Sequence, residues 1–192
     1  MKTLIFNGSP RKNGDTMSLV QELIAHLEGE VQVIHAYDAP VKGCIDCRYC
    51  WDHATCSMED FQNLDQAIQE ADQIVLASPI YFGELTGDLL RTLSKLQVYW
   101  SAEFMRKEQL VQKPKKGGLI LAYAGNCDLN YPLHTARILF RNMRVTQLFP
   151  VVCSKDTDRV PAAKDEEALA KARALAAFFN EGFSFAATEG GS

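Results

Sequence analysis

Apolar positions along the chain fall into two patterns: short continuous runs, and longer stretches with apolar residues three or four apart. The runs read as buried strands and the stretches as amphipathic helices, the pattern of βαβ units around a parallel sheet. Lys2 to Asn7 is the first run, broken by a loop from Gly8 to Gly14. A helix follows from about Thr16, with Met17, Val20, Leu23, Ile24 and Leu27 at helical spacing. Val31 to Tyr37 predicts a second strand, after which a cysteine-rich segment shows no apolar period up to about Met58. Glu59 to Glu70 predicts a helix that buries Phe61, Leu64 and Ile68. Asp72 to Ala77 reads as an apolar strand stopped by Ser78-Pro79. A helix is expected from near Thr86 to Tyr99, an irregular insertion from about Ser101 to Lys116, and a strand from Gly117 to Tyr123. Leu133 to Met143 predicts a helix, Val145 to Cys153 the fifth strand, and Lys164 to Phe179 an Ala-rich final helix.

Five strands with intervening helices predict an open, doubly wound α/β sheet with helices on both faces. Ligands in such sheets bind beyond the carboxyl ends of the strands. That rule singles out three loops, Gly8 to Thr16, Ser78 to Gly83 and Ala124 to Asn130. A length of 192 residues suits one domain, expected over 1–181, with the cysteine-rich loop at 43–58 and a loosely ordered tail at 182–192. The net charge of −4 and the scatter of Lys and Arg exclude a nucleic-acid footprint. The one basic run, Lys113-Pro114-Lys115-Lys116, reads as a solvated flank of the next strand. No segment approaches the roughly 20 apolar residues that span a bilayer, and the apolar run at the N-terminus is too short for a signal peptide. The expectation is a cytosolic protein without a membrane partner, its six cysteines reduced, metal-bound or redox-active.

The loop Gly8-Ser9-Pro10-Arg11-Lys12-Asn13-Gly14-Asp15-Thr16 joins a buried strand to a helix N-terminus. Such a terminus offers unpaired N–H groups and the positive end of a dipole, which suits a phosphate. Ser9 and Thr16 add hydroxyls, Asn13 an amide, and Arg11 or Lys12 a cation; an ordinary polar turn in which Asp15 or Thr16 caps the helix is the alternative. The NTPase P-loop is excluded, because five residues separate Gly8 from Gly14 and Asp15 stands where a Lys is required. The dinucleotide fingerprint is excluded by Pro10. A mononucleotide such as FMN fits better than ATP or a resident NAD.

In the second loop, Tyr81 and Phe82 can cover an aromatic ring system, while Pro79 and Gly83 hold the turn. The alternative is a strand-to-helix turn whose aromatics join the core. Cys44, Cys47, Cys50 and Cys56 follow C-x₂-C-x₂-C-x₅-C, a pitch at which thiolates can surround a [4Fe–4S] cubane. Zinc with His53 as a further ligand is a second reading. Free thiols or a labile disulfide in a covering loop are a third. Cys153 reads as a buried small hydrophobe and Cys127 has no evident partner. The four histidines suggest no general base, and no Ser-His-Asp or paired-carboxylate constellation is readable.

These motifs together resemble the NADPH-dependent FMN reductase and iron–sulfur flavoprotein group of the flavodoxin-like superfamily. The phosphate loop resembles the group's G-S-P-R-x-x-G-N-T, Ser78 to Gly83 its flavin-ring loop, and Cys44 to Phe61 its compact cysteine segment. The resemblance runs from residue 2 to about 153 and implies strand order 2-1-3-4-5. It implies that Ser9, Arg11, Asn13, Thr16 and Met17 surround the FMN phosphate. It further implies that Pro79, Ile80, Tyr81, Phe82 and Gly83 contact the isoalloxazine; Gly125 is carried over from a looser match. Asp15 departs from the usual Asn and sets a carboxylate near a phosphate dianion, weakening binding unless it points away or caps the helix. The expected activity is hydride transfer from NAD(P)H to FMN, then to a quinone, flavin, azo or nitro compound or an iron–sulfur centre. A non-enzymatic electron carrier and a redox-sensing module with a vestigial flavin site are the alternatives. A homodimer or tetramer is expected, with the Ser101 to Lys116 insertion, and Trp100, Phe104 and Met105, as candidate interface or lid.

Overall fold

The computed structural model describes residues 1–182; the expected tail beyond them lies outside the described residues. In chain order the elements are β1 (Lys2–Asn7), α1 (Asp15–His26), β2 (Glu30–His35), α2 (Phe61–Glu70), β3 (Gln73–Tyr81) and β4 (Glu84–Leu85). They continue with α3 (Gly87–Leu93), α4 (Gln97–Ser101), β5 (Lys115–Ala122), α5 (Asn130–Asn142), β6 (Val145–Leu148), β7 (Val152–Ser154) and α6 (Glu166–Asn180).

The parallel strands lie in the order β2-β1-β3-β5-β6, with β7 taking the outer position beside the far half of β5. Counting parallel strands alone, this is the flavodoxin-like order expected. The centre of β1, Leu4 to Phe6, is apolar because both faces are covered. Leu4 and Phe6 pack with α2 and α3, whereas Ile5 packs with α1 and α6. Asp165 caps α6 by accepting the Ala168 N–H at 3.0 Å, and Ser154 Oγ donates to its other oxygen at 2.8 Å.

Four expectations need correction. The third strand does not stop at Ser78-Pro79 but runs on to Tyr81. Its pairing with β1 ends at Asn7 opposite Ala77, so the missing N–H of Pro79 breaks no bond on that side. The fifth strand is interrupted between Leu148 and Val152, where Pro150 has no N–H to give. The helix expected to Tyr99 changes pitch twice, and the insertion after it begins as a π-helical turn over Ala102–Arg106.

The fourth correction concerns the basic run. Lys115 and Lys116 are the first residues of β5 and are buried, not solvated. Lys115 Nζ donates to Ala71 O at 2.6 Å, and Lys116 Nζ to Phe178 O at 2.5 Å. Each ammonium thus meets the carbonyl-rich end of a helix, α2 or α6, where a cation is favoured.

Candidate functional site

The loop after β1 is held from both sides. Gly8 N–H donates to Ala77 O at 2.7 Å, and Thr86 Oγ1 donates to Gly8 O at 2.7 Å. A Cβ on Gly8 would stand 2.7 Å from Thr86 Oγ1 and 2.9 Å from Leu89 Cβ, so only glycine fits. Buried Asn7 holds Ser9 in place, and Ser9 Oγ bonds with the backbone of Arg11 at 3.2 Å. α1 starts behind Gly14 with no side-chain cap. Thr16 is 2% exposed as a residue, and its hydroxyl has no hydrogen-bond partner among the described residues. An anion at this junction would find an unpaired hydroxyl and helix N–H groups ready to donate.

Asp15 is directed elsewhere. Its Oδ1 accepts the Ala162 N–H at 3.0 Å and its Oδ2 pairs with Arg11 at 3.2 Å. The carboxylate is therefore neutralised and tied to the turn before α6. Arg11 and Asn13 are exposed, while Met17 is buried between α1 and α6 and offers the loop only its backbone.

The second loop is a β-hairpin, and the alternative of a strand-to-helix turn whose aromatics join the core does not hold for Tyr81 and Phe82. Ile80 pairs with Leu85 and Tyr81 with Glu84, leaving Phe82 and Gly83 as the two turn residues, at φ 54° and 78°. Positive φ at both positions belongs to a type I′ turn, usually built from Asn or Gly. Phe82 is fully exposed and Tyr81 exposed; Ile80 is half-buried against the core, beside half-buried Pro79. Glu84 ties the hairpin to α5 by accepting from Thr135 Oγ1 at 2.7 Å. Ser78 Oγ meets Thr86 N–H at 3.1 Å, so the hairpin and the first loop share Thr86. Gly125, at φ 67°, lies in the loop after β5, beside Asn126, Lys155, Asp156 and Arg159 around a separate hollow.

Cys44, Cys47, Cys50 and Cys56 all line one cleft, and all are free thiols. Cys47 Sγ is 3.2 Å from Ser57 Oγ, and Cys50 Sγ is 3.3 Å from Ser101 Oγ. The Ser57 hydroxyl, with the Tyr49 N–H, holds the Cys47 thiol below its ordinary range. Buried Lys95 reaches the cleft, its Nζ 3.6 Å from Cys56 Sγ and 3.0 Å from Asp60 Oδ1. Among the described residues no three His, Cys, Asp or Glu side chains are grouped to hold a single metal ion. His53 is instead stacked on Tyr49 at 3.8 Å. The start of the loop is fastened by Arg91, which donates to Val41 O and to Ala36 O. Its far side is fastened by Arg106, which donates to Cys50 O. The segment proposed as interface or lid thus buttresses the cysteine loop through Ser101 and Arg106. Cys153 is half-buried, its thiol pushed up by burial.

Asn7, Thr86, Glu84 and Lys95 escaped the sequence reading. Only Asn7 carried a signal, a carboxamide directly after the apolar run Leu4 to Phe6.

A family model described as NADPH-dependent FMN reductase matches residues 1–158. An iron–sulfur flavoprotein of Archaeoglobus fulgidus is 29% identical over 185 residues, covering 92% of each chain. Among solved structures, an NAD(P)H:quinone oxidoreductase from Methanothermobacter marburgensis aligns with TM-score 0.72 at 10% identity, covering 96% of this chain and 98% of that one. An FMN-dependent NADH-azoreductase from Bacillus anthracis, in complex with FMN, aligns with TM-score 0.69 at 13% identity, covering 94% and 100%. Among the described residues no helix is long and apolar enough to cross a membrane.

Proposed function

Because the chain belongs to the NADPH-dependent FMN reductase family, we propose that it binds FMN and transfers electrons from NAD(P)H to a quinone, a flavin or another small acceptor. The observation that carries this reading is the junction of β1 and α1, where the unpartnered hydroxyl of the largely buried Thr16 lies at a helix start without a side-chain cap. The phosphate would take hydrogen bonds from Ser9, Thr16 and the first N–H groups of α1, including that of Met17. Arg11 and Asn13 would close the exposed rim. Asp15 does not oppose the dianion, since both its oxygens are engaged.

Bound FMN supplies the redox chemistry, accepting a hydride and passing electrons on. Pro79, Ile80, Tyr81, Phe82 and Gly83 would hold the ring system, the two exposed aromatics keeping water from one side. Gly125 would leave room at the third loop. Thr86, bonded to both loops, sets the spacing between phosphate and ring sites.

The common cleft of the four cysteines favours a second role on the same chain. Cys44, Cys47, Cys50 and Cys56 would ligate a [4Fe–4S] cluster, four thiolates matching its four corners. The chain would then pass single electrons to a protein partner. In this reading it works as a homodimer or tetramer, with neither nucleic acid nor membrane as partner.

Protein purified without oxygen is expected to be yellow, to release FMN on acid treatment and to oxidise NADPH or NADH in the presence of a quinone. Iron and sulfide analysis of the same sample decides the role of the cysteines. Colourless protein that refuses added FMN overturns the principal reading.

A further inference from the structure

At the end of β1 the Asn7 carboxamide is fully buried and reads the Ser9 backbone twice. Its Oδ1 accepts the Ser9 N–H at 2.9 Å, and its Nδ2 donates to Ser9 O at 3.3 Å. Turning the amide over would set N–H against N–H and oxygen against carbonyl, so this pairing fixes its orientation. The same Nδ2 lies 2.9 Å from Nδ1 of His35, the residue opposite Asn7 in the register of β2. One Nδ2 proton serves Ser9 and the other points at the imidazole. A hydrogen bond at this contact requires His35 Nδ1 to accept, which calls for a neutral ring with its proton on Nε2.

We propose that His35 is a positioning residue for the phosphate loop, and that its protonation weakens FMN binding. The inference rests on FMN phosphate binding at Ser9 and Thr16. An imidazolium would place an N–H against the amide N–H. Asn7 cannot turn to accept it without giving up both bonds to Ser9. The strain passes to Ser9, whose hydroxyl and backbone shape the loop.

The charges around His35 oppose one another. Asp38, held low by the Lys12 ammonium 2.6 Å away and to a lesser degree by His35, favours the cationic ring. Lys12 opposes it. On α1, Asp15 is taken by Arg11 and the Ala162 N–H, and Glu22 by Arg173. The 2.9 Å contact with Asn7 is closer than any of these to the ring nitrogen that gains the proton.

The test is FMN affinity, read by flavin fluorescence, at about pH 8 and about pH 5. Wild type is compared with His35→Asn, whose amide oxygen offers an acceptor that takes up no proton. The phosphate of FMN itself loses charge near pH 6 and weakens binding in both proteins. The quantity compared is thus each protein's own ratio between the two pH values. Wild type is expected to lose roughly tenfold more than the variant, the scale of one buried donor left unpaired. Equal losses, or tighter wild-type binding in acid, overturn the proposal. Nitrogen NMR of the His35 ring in the wild type gives an independent answer at about pH 8. A proton on Nε2 supports the contact, and one on Nδ1 refutes it. Wild type that refuses FMN at both pH values refutes the FMN reading itself, while the ring tautomer still decides the His35–Asn7 contact.

Discussion

Lys115 shows how a residue type can mislead when its surroundings are unknown. In the sequence it belongs to a basic run beside a strand; in the fold it reaches under the sheet to the last carbonyls of α2. Nothing local encodes that contact, because the acceptors lie more than forty residues away. Burial, aided by the charge of Lys113, pushes its ammonium down to about 8, with Asp72 opposing. Below that pH both folded and unfolded chains carry the proton, and folding bears the burial of the charge. Between about 8 and the ordinary 10.5 the folded protein gives it up first, so the unfolded chain holds more protons and stability climbs with pH. Melting curves of wild type and Lys115→Met across this window are expected to diverge, with wild type gaining relative to the variant. At Gly8 the constraint is space. Gly8→Ala must displace Thr86 or Leu89 and is expected to lose about 1–3 kcal/mol in urea unfolding of the apoprotein.

Elements with a regular period were legible, and their ends were less so. β1, α1 and α6 fall within a few residues of expectation because their apolar faces repeat without interruption. The hairpin from Tyr81 to Glu84 was not seen, since its turn residues are Phe82 and Gly83 and the usual Asn-Gly signal is missing. Phe82 accepts a left-handed backbone that costs a bulky residue about 1–2 kcal/mol, while its exposed ring gains no packing in return. Strain held without compensating contacts points to use of the ring by a ligand. Phe82→Asn is therefore expected to raise stability by about 1 kcal/mol in thermal melts. The same variant is expected to lower NAD(P)H oxidation by the FMN-loaded protein. A rise in stability with full activity would assign the aromatic no part in the reaction.

Across the molecule, the phosphate loop and the hairpin were recognised as separate motifs, yet the fold joins them through Thr86, which no motif included. The cysteine loop is likewise tied down by residues far away in sequence, Arg91 at its start and Arg106 at its centre. Arg91→Met is expected to free residues 36–43 and hasten limited proteolysis there, with little change in the amide exchange of β1 and β3. Equal protection in variant and wild type would place the loop's anchorage elsewhere. The rim of the sheet carries a further consequence. An unbroken outer strand from Val145 to Ser154 would expose a row of unpaired backbone groups long enough to recruit a strand from another copy. The gap at Pro150 divides it into pieces of four and three residues, each too short to template such growth. The same interruption that frustrates the reading of a fifth strand leaves this edge of the sheet little backbone with which to seed a fibre.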